Sequence, residues 1–186
     1  MNRIIKTQAE FNKLPKNFSN RIFIDAPKEK LITVSDFLIK NKKNSIIRKI
    51  IILNESRVLV KSPCFISLHD NSQLCIKLSS NNMDCLVNAH DNSFVEAYGN
   101  CDIAFFNNAS GLLYNNTSFT TFDDSKIIAH DFCRGFVHNN SSVTIKDNCK
   151  VDAYDNSFIN AFDNCIISHQ KNVIVQAKQN CIIHNL

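Results

Sequence analysis

The chain has 186 residues, 44% of them hydrophobic and 20% charged, with a formal net charge of +4. That is the composition of one domain with a packed core, and it excludes a disordered or collagen-like chain. No apolar run is long enough to span a bilayer and no signal-peptide core opens the sequence, so a cytoplasmic protein with reduced thiols and no membrane contact is expected.

Residues 1–47 are read as a basic α+β capping segment. Within it "QAEFNKLPKNF" is expected to hold a short helix, "RIFID" and "KLITV" to be strands, and Ser35 to cap a helix over "DFLIKNKKN". Residues 1–49 carry 12 Lys and Arg against 4 Asp and Glu, whereas residues 50–186 carry 9 against 13. Lys40, Lys42, Lys43, Arg48 and Lys49 are therefore the candidate nucleic-acid contacts, through phosphates and with a strong salt dependence.

Residues 48–186 repeat every eight positions, as "VDAYDNSFINAFDNC" at 151–165 displays. Counting Ser157 as position 1, a small residue recurs without a skipped step from Ser93 to Cys181. Position 3 is mostly Val or Ile, position 5 often Ala, position 6 often aromatic or His, position 7 usually Asp, Asn or Gly, and position 8 almost always Asn. A five-residue insertion, Ser80 to Asp84, breaks the phase once; allowing for it, the count continues upstream through Ser72, Cys64 and Ser56 to Arg48. Positions 1, 3 and 5 share parity, so on a strand they face one way, and positions 7 and 8 make a corner. With only 3 Gly against 26 Asn in the chain, Asn is expected to take much of the turn work.

Seven Cys, at 64, 85, 101, 133, 149, 165 and 181, stand at position 1, and all fall in alternate octads. That alternation predicts a coil of 16 residues with two strands, one octad each, so that like stacks on like. The expected fold is an all-β solenoid, a parallel β-helix of about eight two-sided coils formed by residues 48–186, behind the cap of residues 1–47. The final "NCIIHNL" is followed by no capping helix, and a homodimer through the C-terminal coil is expected to cover its strand edges.

The stretches "VNAHDNSFVEAYGNC" and "VDAYDNSFINAFDNC" resemble the octad-repeat β-solenoid proteins of bacteria and their phages, over residues 85–181. The resemblance implies the fold and carries over no activity residue by residue. Because some compact proteins of mobile elements inhibit host defence enzymes, it also implies a role as an anti-CRISPR-like inhibitor of a bacterial defence complex, or as an adaptor.

The residues contain no nucleophile elbow, phosphate-cradling Gly loop or HExxH pattern, so no enzyme, cofactor or catalytic residue is expected. The Cys column is read as structural, because in-register strands aim thiols in parallel while a tetrahedral metal site needs convergent ligands. Asp131, Asp147 and Asp163 are expected to stack at one corner, either bonded to turn amides or around a hard cation. The candidate protein-binding residues are Tyr98, Phe106, Tyr114, Phe122, Tyr154 and Phe162 at position 6, with Phe94 and Phe158 at position 2. Stacking of the same rings into ladders is the alternative. The expected partner is another protein or a ribonucleoprotein complex in a bacterial cell, with nucleic-acid binding through the basic head, or self-assembly, as the competing roles.

Overall fold

The parity argument is met along most of the described strands. In the computed structural model, which describes residues 2–15, 18, 20–35, 49–62, 64–78 and 85–186, the chain winds as a β-solenoid of about ten coils. Among the described residues two parallel sheets face each other, one of eleven strands and one of nine, and from the second strand onward successive strands alternate between them. Partners along a sheet are mostly 16 residues apart, as in Lys150 with Ile166 and Phe158 with Ile174. The step lengthens to 21 where Phe65 pairs with Leu86 and Gln73 with Phe94, so the five extra residues leave the register intact on both sides.

Inward positions build a single core. Val151, Ala153 and Cys149 lie on one wall, Ser157, Ile159 and Ala161 on the other, and all are fully buried. The intervening Asp152, Phe158 and Asn160 face outward. No strand could bury this stripe alone; the stack of coils does it collectively.

The corners are tight turns, and in many of them the position-1 N–H donates to the position-6 carbonyl, as from Ser93 to His90 at 3.1 Å. Position 7 carries the left-handed backbone, with φ near +60° at Asp70, Asp91, Asp147 and their equivalents. The turn work thus falls mainly on Asp at position 7, with Asn sharing it at Asn54, Asn107, Asn115 and Asn139. Asn and Asp tolerate this region because a short polar side chain can bond locally, and here most of these side chains accept from the backbone of the preceding coil, as described below.

The head differs from a separate cap over eight coils. Arg3–Ile5 and Ile22–Ile24 are the first strands of the eleven-stranded sheet, and Leu31–Val34 opens the other. The described strands before residue 36 therefore belong to the same two sheets, and the solenoid has about ten coils. A five-residue helix, Gln8–Asn12, is held by a capping box between Thr7 and Glu10. Its Gln8 amide accepts from the Thr33 N–H at 2.6 Å and donates to the Thr33 carbonyl at 3.1 Å. One side chain thereby closes part of the outer edge of the first strand of its sheet, the blunting that exposed edges require. The expected helix over "DFLIKNKKN", together with Lys40, Lys42, Lys43 and Arg48, lies outside the described residues. At the far end, the inward position Ile183 is 47% exposed, and Ile182 and Ile174 are exposed as well.

Candidate interaction surfaces

The position-6 rings fall into two columns, one at each corner of the coil. One column runs His69, His90, Phe106, Phe122, His138 and Tyr154, with successive ring centroids 4.8–5.2 Å apart and nearly parallel planes. The other runs Tyr98, Tyr114 and His130 at 4.6 and 5.1 Å, then Phe162 between the ammonium groups of Lys146 and Lys178. Lys77 covers the near end of that column, 5.4 Å from the Tyr98 ring. The spacing is imposed by the strands beneath, which repeat at about 4.7–4.9 Å. Each ring spends its faces on its neighbours, a contact worth about 0.5–1.5 kcal/mol per pair beyond area burial, and leaves an edge to solvent. Phe94 and Phe158, at position 2, sit apart from both ladders on the outer face of the nine-stranded sheet.

Histidines in the ladders also reach carboxylates. His130 Nδ1 is 3.5 Å from Asp147, His69 Nδ1 3.7 Å from Asp91 and His138 Nδ1 3.9 Å from Asp155, each Asp being in the following coil. Burial and the neighbouring His69 lower the pKa of His90 below the usual imidazole value.

The stacked Asp corner resolves through the backbone. Asp131 N–H donates to the Asp147 carboxylate at 3.0 Å, and Asp147 N–H to Asp163 at 3.2 Å. Asn115 N–H donates to Asp131 at 2.8 Å, and Asp163 N–H to the Gln179 side chain at 2.7 Å. The opposite corner repeats the pattern from Asn54 to Asp155. The carboxylates accept from the preceding coil, not from their own turns, and this clips coil to coil outside the sheets. Among the described residues no cluster has the ligand set of a metal site.

Position 1 closes the same corner from inside. Thr117 Oγ1 donates to the Gly99 carbonyl at 3.0 Å and Ser141 Oγ to the Asp123 carbonyl at 3.4 Å. Cys133 and Cys181 Sγ reach the equivalent carbonyls of Asn115 and Asp163 at 3.7 and 3.6 Å. Ser and Cys are thus two versions of one small buried donor, on opposite walls of the coil. All eight cysteines are reduced thiols. The Cys133 sulfur, with burial, pushes the Cys149 thiol up to about 12, and Cys149 with burial raises Cys165 further. Cys85 and burial raise Cys64, and burial raises Cys75 and Cys181. A raised pKa depletes the thiolate, which is the reactive form. Alkylation of native protein at pH about 8 is therefore expected to mark only the half-exposed Cys75 and Cys181, and slowly, with the other six reacting after denaturation. Peptide-resolved mass spectrometry reads this directly, and rapid native labelling of Cys133, Cys149 or Cys165 would contradict it.

The outer face of the eleven-stranded sheet holds residues that the sequence reading passed over. Phe132, at position 8 where the same corner otherwise shows Asn100, Asn116, Asn148, Asn164 and Asn180, is 59% exposed. Phe136, at position 4, is 49% exposed. A groove of about 440 Å³ runs over this face between Asp102, Thr120, Arg134, Phe136 and Lys150. Lys49, the described member of the basic cluster, lines a second groove of about 530 Å³ on the same face with Phe65 and Leu86. The sequence signal for Phe132 was its departure from the repeat.

Compared with known families, curated proteins and solved structures, the chain finds no match.

Proposed function

We propose that the protein is a non-enzymatic binding module, a stiff solenoid that holds another protein or a ribonucleoprotein complex against its outer faces. An inhibitor of a bacterial defence complex, encoded by a phage or another mobile element, is the role this reading favours, with an adaptor as its variant. The observation that carries it is the set of large apolar side chains directed outward where the coil needs none: Phe132, Phe136, Ile128 at 44% exposure and Phe94 at 37%.

The test is affinity capture from bacterial lysate with tagged protein, with and without nuclease. A defined protein complex that survives nuclease and is lost in a Phe94→Ser, Phe132→Ser, Phe136→Ser variant of unchanged melting temperature is the expected result. Recovery that nuclease abolishes would move the assignment to nucleic acid, and recovery of nothing would overturn it. An untagged copy co-expressed with the bait reads the homodimer: two copies paired through their C-terminal coils, covering Ile182 and Ile183, co-purify. Elution of the tagged chain alone excludes that pairing.

A further inference from the structure

Among repeating outward positions, one row combines charge and apolar area without an internal partner. Phe132, Arg134 and Phe136 lie at alternate positions on and just before the strand Arg134–Val137, all directed outward and all exposed. In the neighbouring strand Lys150 is in register with Arg134, so two cations stand side by side on adjacent strands. Like charges directly opposed across strands are destabilising. Yet among the described residues neither cation has an ion pair or a side-chain hydrogen bond. On the other side, Ser118 and Thr120 are the register partners of Arg134 and Phe136, and supply hydroxyls beside the groove.

We propose that this row is the docking site for an extended segment of a partner protein that carries an acidic side chain flanked at alternate positions by apolar ones. The match is metric as well as chemical. Alternate residues of an extended chain recur about every 6.7 Å, the step between Arg134 and Phe136 on their strand, so a segment lying along the strand and continuing over the corner at Phe132 brings its carboxylate to the cation pair while its apolar side chains cover the two rings. A carboxylate there accepts from the planar guanidinium in the two-pronged manner that makes Arg pairs strong, and it removes the Arg134–Lys150 repulsion. Asp102 and Asp152 border the groove and repel a second acidic residue at either end, which fixes the register of the segment. This rests on the protein-binding reading given above and names the chemistry of the partner.

The probe is the peptide acetyl-Leu-Ser-Glu-Ser-Leu-amide, titrated into isotopically labelled protein and followed by amide chemical shifts. Shifts centred on Phe132, Arg134, Phe136 and Lys150 are expected, with the Gln analogue of the peptide about tenfold weaker. The variant Arg134→Glu/Lys150→Glu, whose changes are at exposed positions, is expected to keep its melting temperature, lose the Glu peptide and bind the Lys analogue instead. Equal binding of the Glu and Gln peptides, shifts confined to other faces, or no shift at millimolar peptide would each overturn the proposal. Lysate capture separates the two levels. If the charge-reversed variant still retains the complex captured by the wild type, this site is wrong while the binding role stands; if the wild type captures nothing, the role itself fails.

Discussion

Replacing Gly135 by valine, the residue type its own column favours, is expected to lower the melting temperature by about 2–12 °C. Gly135 is inward-facing and in register with Phe119, one coil away in the same sheet. A Cβ on Gly135 would lie 2.3 Å from two atoms of the Phe119 ring, closer than any real contact permits. Overpacking of this kind costs about 1–3 kcal/mol, and a chain of this size loses about 2–4 °C per kcal/mol. The converse change, Phe119→Val, leaves a void where the ring was and is expected to cost a similar amount or more. The decisive measurement is the pair. Phe119→Val with Gly135→Val restores the ordinary Val column and is expected to be more stable than either single variant, a coupling of about 1 kcal/mol or more between neighbours. Simple additivity of the two losses would mean that the glycine is kept for another reason. Phe105 and Gly111 make the same exchange across the gap between sheets, where a Cβ on Gly111 would meet the Phe105 ring at 2.6 Å.

These exchanges show where the sequence could and could not be read. Strand parity, the two-sided coil and the corner positions recur because every coil meets the same physical demands, so each octad repeats the same evidence: apolar at 3 and 5, small at 1, turn-forming at 7. The alternating Cys placed seven thiols on one wall, and Cys85 does pair in register with Cys101. The head was opaque for the opposite reason. Its strands pair at steps of 28 residues for Ile22 with Ile50 and 26 for Leu31 with Arg57, so no period announces that they belong to the sheets. The Phe–Gly matches were silent because each is a private agreement between two side chains, invisible to a column average.

The position-6 rings are conspicuous in the sequence because they recur; recurrence is what a structural ladder requires, and the rings do stack on one another. A residue that serves a partner has no reason to obey the repeat. Phe132, which replaces the Asn of its corner and stands 59% exposed, is the kind of exception that a consensus conceals.

The corner makes the second large effect. At Asp147, φ is +66° and the carboxylate both accepts from the Asp131 N–H at 3.0 Å and approaches His130 at 3.5 Å. Four replacements separate these contributions. Asn keeps an acceptor and tolerates the left-handed region, so Asp147→Asn is expected to cost less than about 1 kcal/mol, the difference between a charged and a neutral acceptor. Gly accepts the backbone freely but loses the clip to the preceding coil, for a cost of about 1–1.5 kcal/mol. Ala adds a conformational penalty of about 1–2 kcal/mol to the lost bond. Val, β-branched and a true outlier at positive φ, is expected to be worst. The predicted order of denaturation midpoints is therefore Asp, Asn, Gly, Ala, Val. If Gly were as damaging as Val, the side-chain clip and not the backbone would rule the corner. If Asn proved stabilising, repulsion among Asp131, Asp147 and Asp163 would outweigh their bonds, and a hard cation would be needed to hold the stack; added calcium would then raise the wild-type midpoint but not that of Asp147→Asn. With the N–H of each coil aimed at the carboxylate of the next, the expected outcome is the graded series and no response to calcium, because the charge that the column accumulates is already met, coil by coil, by its own backbone.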